Sequence, residues 1–467
     1  MSRKMLIAGE LRDGALTLDV INPATGQVLE VAPRASKEQL EEAIASAKAA
    51  FPSWSALTPE ERGGYLLKLA DAVEAKKDEF ARLLTMEQGK PLAQATNEVI
   101  GAYMTLRGYS QMRTPVKTLK EDAKQRVLEH RTPLGVVSAI APWNFPFAII
   151  MGKIAPALIT GNTVVAKPAP TTPLTLLMFG ELAADILPAG VLNTIIDEND
   201  LGPILSNHPD IAKVSFTGST ATGKKVLQSG ADTLKRVTLE LGGNDAALVL
   251  DDADVEKIAP ALYRFATVNA GQVCIAIKRI YAPRSKYDAL VDAIAKLADA
   301  TVVDDGLAQG AEVGPVQNKM QFEKLKEFLA DARATGKIVA GGEVVDRDGY
   351  FIRPTIVRDA PQDSKIVKEE QFGPILPIVA YDDLDEAIKA VNDSEYGLGG
   401  SVWSSSIERA TEVAMKIDSG SVWVNKHLDL QFDVPFGGAK ESGMGREQGV
   451  EGLHEYTQAK IVNVSLR

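Results

Sequence analysis

The sequence predicts an α/β protein of two or three domains, built on parallel sheets with helices on both faces. Three observations carry this expectation. The chain has 467 residues, more than one hydrophobic core ordinarily serves. Residues 135–243 alternate short β-branched runs with longer helical patterns. A second alternating series runs from about 245 to 441. Strands that alternate with helices need crossover connections, and crossovers imply parallel pairing.

The elements follow in order. After a short β-like start, the first 115 or so residues read as helical. "SKEQLEEAIASAKAAF" opens with a capping box, Ser36 with Gln39, and carries Leu40, Ala43, Ile44 and Ala47 at helical spacing. "TPEERGGYLLKLADAVEAKKDEFARLLTMEQGK" repeats the device with Thr58, Pro59 and Glu61 and stops near Gly89. The strands of the first series are "GVVSAIAP", "NTVVAKP", "VLNTII", "KVSFTG" and "RVTLELGG", with helical patterns such as "LTLLMFGELAADIL" between them. Those of the second are "AALVL", "KRIYAP", "LPIVAY", "GSVW" and "GSVWVN". The tail "EYTQAKIVNVSLR" reads as a terminal strand, which must pair with something. No internal repeat or low-complexity segment interrupts the pattern.

Composition narrows the partners. Apolar residues make up 45% and charged residues 24%, with a formal net charge of −11 and both signs mixed along the chain. A nucleic-acid binder would show a basic face, so that class is excluded. One cysteine, Cys274, allows no intrachain disulfide and implies no oxidising compartment. "MSRKMLIAGELRDG" has too short an apolar run for a signal peptide. The most apolar stretch, "GVVSAIAPWNFPFAIIMGKIAPALITG", is broken by Pro142, Asn144, Pro146, Lys153 and Pro156. A membrane span needs about twenty mostly apolar residues. The expectation is a cytoplasmic protein with no membrane partner.

Two stretches carry chemistry. In "KVSFTGSTATGKKVLQSG", Gly218, Gly223 and Lys224 read G-x-x-x-x-G-K. A triphosphate loop needs Ser or Thr next, to hold magnesium, and Lys225 stands there instead. A phosphotransferase is thereby disfavoured. The turn retains a helix N-terminus whose free N–H groups suit a phosphate, while the dinucleotide fingerprint G-x-G-x-x-G is absent. On the residues alone, a phosphate site and a plain glycine-bearing turn both stand. Cys274, in "FATVNAGQVCIAIKRIYA", has the same two-sided character. It is either a small buried hydrophobe or a nucleophile, approached through Gly271 and Gln272, whose backbone N–H groups could face a reacting oxygen. Glu240, which ends "RVTLE" before Gly242 and Gly243, is either a strand-end charge or the base such a thiol needs.

Taken together, "APWNFPF", "GNTVVAKPAPTTP", "FTGSTATG", "LELGGND", "GQVC", "EEQFGPILPI", "VWVN" and "PFGGAKESGMGRE" resemble, in order, the motifs of the aldehyde dehydrogenase superfamily, from about residue 20 to the C-terminus. The resemblance implies an aldehyde oxidised to its acid, with NAD as coenzyme and NADP tolerated. It makes Cys274 the nucleophile, the Cys274 N–H and the Asn144 amide the oxyanion donors, and Glu240 the base that activates water. Lys153 and Glu447 resemble a supporting proton-shuttling pair. Gly218, Ser219 and Gly223, with Trp143 nearby, would hold the pyrophosphate, Lys167 the adenine ribose, and Glu370 and Phe372 the nicotinamide ribose and ring. No metal site is implied. A coenzyme-A-acylating enzyme of the same fold is the alternative, opposed by the presence of Glu240.

The resemblance also implies three parts: a Rossmann-like cofactor domain (1–113 and 133–242), a catalytic domain (243–441) and a small β oligomerisation element (114–132 and 453–467) of a homodimer or homotetramer. Two departures qualify it. Pro170 stands where many NAD-preferring members carry a glutamate, which removes one barrier to NADP. "IAIKR" follows Cys274 where small residues are commoner. The substrate tunnel is expected between Phe145 and the loop "NKHLDLQFDVPFGG", widened at Gly152, with Lys426 and His427 as donors near its mouth.

Overall fold

The computed structural model describes residues 3–467. Its first large sheet has the strand order Gly443–Met444, Arg236–Glu240, Ile211–Thr217, Val136–Ile140, Thr163–Lys167, Leu192–Thr194. All pairs are parallel except the first. Val136–Ile140 and Thr163–Lys167 are buried throughout, as strands covered on both faces must be. The second sheet runs Lys337–Ala340, Thr355–Arg358, Ile375–Tyr381, Arg279–Pro283, Ala246–Val249, Gly399–Trp403, Ser421–Val424. It too is parallel apart from its first pair. Every strand expected in the two series forms. Lys337–Ala340 and Thr355–Arg358 were not foreseen; each is four residues long, and in Lys337–Ala340 only Ala340 is fully buried.

Both capping boxes form as read, Ser36 with Gln39 and Thr58 with Glu61. The second helical stretch differs in one respect. It breaks at Lys76 (φ −113°, ψ 21°) into Pro59–Ala75 and Lys77–Gln88. The latter ends on Gly89 at φ 98°, where a Cβ would come within 2.8 Å of Pro315. These helices share one core with the first sheet. Separate apolar clusters cover the second sheet.

The terminal strand Thr457–Ser465 finds its partner within the chain. It pairs antiparallel with Gln125–Pro133 from Thr457↔Pro133 to Ser465↔Gln125. Lys117–Glu121 completes this three-stranded sheet, so Thr457–Ser465 keeps one open edge.

Candidate active site

Cys274 is delivered by a backbone few sequences adopt. After the helix Val255–Thr267, Asn269 (φ 52°), Ala270 (φ 54°) and Gly271 (φ 70°) are consecutively left-handed. A Cβ at Gly271 would lie 2.3 Å from the Gly373 carbonyl oxygen, so only glycine fits. Hydrogen bonds hold the turn closed. Asn269 Nδ2 donates to the carbonyls of Asn144 (2.9 Å) and Gln272 (3.2 Å), and Gln272 Nε2 donates to Asn269 O (2.8 Å). Such strain persists where surrounding structure imposes it, commonly at functional sites. The half-buried thiol packs with Phe145, Val268 and Leu428 beside Phe436 and Trp423.

Asn144 precedes the helix Pro146–Ile159 and is buried. Its Nδ2 donates to Gln272 O at 3.0 Å, which leaves the second amide hydrogen free. Behind it lies a network the sequence did not disclose. Glu98 Oε1 accepts from the N–H groups of Phe147 (3.0 Å) and Ala148 (3.1 Å), capping that helix. Lys90, fully buried, pairs with Glu98 and donates to Asn144 O at 2.9 Å. The loop bearing Asn144 is thus tied to the helix Leu92–Gln111.

Glu240 ends the strand Arg236–Glu240 and is buried, with neither carboxylate oxygen hydrogen-bonded. Burial first, and the charge of Glu447 second, hold its pKa well above the usual carboxylate range, while Lys153 and Arg446 oppose the rise. Lys153 pairs with Glu447 and donates to Ser215 Oγ at 3.2 Å. The thiol of Cys274 is pushed up to about 12, chiefly by burial, with Lys278 opposing. A neutral thiol and a proton-avid carboxyl therefore lie within reach of one another's charge.

Gly218 N donates to the backbone carbonyl of Glu240 at 3.0 Å, which ties the start of the helix Thr220–Gly230 to the end of the Glu240 strand. Ser219 caps that helix, its Oγ accepting from Thr222 N at 3.3 Å. A Cβ at Gly223 would strike Leu241 at 2.4 Å, so Gly223 serves helix packing. Lys224 points to Glu441 (2.7 Å), away from any triphosphate role. Trp143 and Phe372 meet edge to face with ring centroids 5.2 Å apart. Glu370 Oε1 accepts from Gly243 N at 3.0 Å and lies 3.6 Å from Lys278 Nζ. Lys278, from the unusual "IAIKR", donates to the carbonyls of Val273 (2.8 Å) and Cys274 (2.6 Å). It links the Cys274 loop to Glu370. Lys167 stands against Asp197, Nζ to Oδ1 2.6 Å.

Two substrate-side expectations change. His427 is no mouth donor: it is buried against Trp423 and Phe265, with Nε2 on Ile275 O at 2.7 Å, and burial lowers its pKa to about 3. An apolar flank in the loop after Asn425 turns the ring inward. Lys426 is exposed but paired with Asp429. Gly152 faces open space, with nothing within 4 Å of a Cβ built there.

The model of the aldehyde dehydrogenase family matches residues 11–462. The chain is 42% identical over 456 residues to a putative aldehyde dehydrogenase, FUS7, of Gibberella fujikuroi, covering 97% of each. It is 37% identical to the geranial dehydrogenase of Castellaniella defragrans, over 95% of this chain and 94% of the relative. The NAD+ complex of the aldehyde dehydrogenase from Bacillus cereus superposes with a TM-score of 0.97 at 36% identity, covering 100% of this chain and 97% of that one.

Proposed function

The chain belongs to the aldehyde dehydrogenase family, and from that premise we propose that Cys274 and Glu240 oxidise an apolar aldehyde to its acid through a thioester. The observation that carries this reading is the buried, unpartnered carboxylate of Glu240, near enough to the only thiol for its charge to act on it. A carboxyl that prefers its proton is matched to taking one from water near neutral pH. The Cys274 sulfur adds to the carbonyl carbon, its proton leaving toward Glu240. The free Asn144 amide hydrogen and the Cys274 N–H hold the oxyanion. When bound, the nicotinamide supplies the hydride acceptor, and loss of hydride leaves a thioester on Cys274. Glu240, having passed the thiol proton outward through the Lys153–Glu447 pair, then deprotonates the water that cleaves the thioester; the Cys274 thiolate departs and the second proton leaves by the same pair.

The coenzyme is a nicotinamide dinucleotide, and several features of this chain suit it. The helix start at Gly218 and Ser219 offers N–H groups to a pyrophosphate. Lys167 presents a buried cation, and Glu370 is pinned by Gly243 and Lys278. Trp143 and Phe372 form an edge-to-face pair beside them. The three-part division into cofactor domain, catalytic domain and oligomerisation element finds support in the separate sheets. The single unpaired cysteine suits a reducing, cytoplasmic setting.

Substrate choice follows from the lining. Phe145, Val268, Leu428 and Phe436 surround Cys274 with apolar surface, and Gly152 leaves width. With His427 buried and Lys426 paired, no free cation of that loop awaits an anionic tail. The geranial dehydrogenase relative fits a medium-length apolar aldehyde. The test compares kcat/KM for acetaldehyde, hexanal, benzaldehyde and succinate semialdehyde. Acetaldehyde winning by more than roughly tenfold, about 1.4 kcal/mol, would overturn the wide apolar tunnel. For the chemistry, Glu240→Gln should give a burst of reduced coenzyme and then stall. Full turnover in that variant, or release of an acyl-coenzyme A in preference to the acid by the unaltered enzyme, would remove Glu240 as the hydrolytic base.

A further inference from the structure

Lys167 closes the strand Thr163–Lys167, and Asp197 lies just past its neighbour Leu192–Thr194. The two side chains are 5% and 0% exposed. Lys167 Nζ is 2.6 Å from Asp197 Oδ1, a buried ion pair, and no other donor reaches that oxygen. Oδ2 is occupied, accepting from Leu201 N at 3.0 Å, and this fixes the carboxylate. The arginine close enough to feel its charge, Arg34, is committed to Glu198 (2.6 Å) and Asp200 (3.0 Å). A buried carboxylate whose Oδ1 meets only the Lys167 ammonium, with Glu198 and Asp200 close by, is a poor host for a dianionic phosphate. It is a good one for a hydroxyl that can donate.

We propose that Asp197 is the specificity-determining residue for the coenzyme: its Oδ1 accepts the adenosine ribose 2′-hydroxyl of NAD and excludes the 2′-phosphate of NADP. The inference rests on the reading that Lys167 holds that ribose. It also revises what Pro170 implied. The carboxylate missing after Lys167 is supplied from the end of the next strand, so the barrier to NADP is kept by a different residue.

The test is the ratio of kcat/KM for NAD to that for NADP, with hexanal as substrate. Asp197→Asn keeps an acceptor for Leu201 N and removes the charge. The expected outcome is a fall in the ratio of about tenfold or more, entered mainly through KM for NADP. A ratio unchanged within about twofold overturns the proposal. Lys167→Met separates the two readings. If it weakens both coenzymes while Asp197→Asn leaves the ratio alone, only the role of Asp197 fails. If it alters neither coenzyme, the ribose site itself is misplaced and both readings fail. Should Asp197→Asn not fold, the unaltered enzyme decides by competition. Stronger inhibition against NAD by 5′-AMP than by 2′-AMP supports the proposal, and equal inhibition overturns it.

Discussion

The charge balance around Cys274 is decided by single residues. Burial raises the thiol, Glu370, Asp245 and Glu240 add to the rise, and Lys278 is the cation that opposes them. Lys278→Met should therefore raise the thiol further and slow iodoacetamide alkylation of Cys274 about tenfold at fixed pH. Lys278→Arg should restore much of the rate, and identical pH profiles in all three proteins would remove Lys278 from the balance. Asp245 makes a second case, measured through stability. Its Oδ1 accepts from Gly399 N at 3.0 Å, its Oδ2 is unpartnered, and burial raises its pKa to about 7. His427, 3.7 Å away, is neutral there and offers no compensating charge, although Lys278 and Arg279 pull the other way. In the unfolded chain the same carboxyl ionises near 3.9. Between these values the folded state binds the extra proton, so stability is full below about pH 4 and is lost as pH rises to about 7. The slope is at most about 1.4 kcal/mol per pH unit. Asp245→Asn should match the unaltered protein near pH 4 and melt above it at pH 8. Parallel melting curves across that range would place the titration elsewhere.

At the scale of elements, what the sequence disclosed depended on the distance between partners. The capping boxes of Ser36 and Thr58 were legible because cap and partner lie three residues apart. The helix Pro146–Ile159 shows no cap of its own; its acceptor, Glu98, is 49 residues from Phe147. No local pattern could announce it. The same holds for Asp197, whose meaning appears only when parallel pairing sets its strand beside Lys167. The strands of the two series are legible as β-branched runs, whereas "KIVA" and "TIVR" lie between glycines and prolines that read as turns. Cys274, Glu240 and Asn144 were found through motif resemblance, and Lys278 only as a departure from it. His427 was misread because a loop position says nothing of which way a ring turns. The distant cap is also the costly one. Glu98→Ala would strand the buried Lys90 ammonium and uncap two N–H groups, a loss of about 3–5 kcal/mol. Denaturation midpoints should show it. Lys90→Met with Glu98→Gln should recover much of the stability but less of the turnover, since the Asn144 carbonyl keeps only the Asn269 amide of its two donors. A loss below about 1 kcal/mol in Glu98→Ala would mean that the pair contributes no more than a surface bridge.

At the scale of the whole molecule, the three-stranded sheet is incomplete as it stands. Lys117–Glu121 is exposed throughout, and Thr457–Ser465 is exposed after its first residue. Leu119, Ile461, Val462 and Val464 are apolar and between 37% and 50% exposed. Because side chains alternate along a strand, Ile461 places apolar surface on one face of the sheet and Val462 and Val464 on the other. An open apolar edge of this kind invites pairing with another chain, and closed symmetric assembly is the usual resolution. The chain should therefore sediment as a dimer or tetramer at micromolar concentration, and a stable monomer would refute the oligomerisation element. Ile461→Asp with Val464→Asp should shift the population toward monomer. The consequence for activity can be traced residue by residue. Tyr456, adjoining the terminal strand, donates to Ser215 Oγ at 3.1 Å, and Lys153 donates to the same oxygen beside Glu447. Loosening the strand loosens the pair that serves Glu240. The double variant should lose turnover in the hydrolytic step while its coenzyme KM changes much less. If instead the monomer hydrolyses its acyl-enzyme at the full rate, the terminal strand serves assembly alone, and the Lys153–Glu447 pair is held by the first sheet without it.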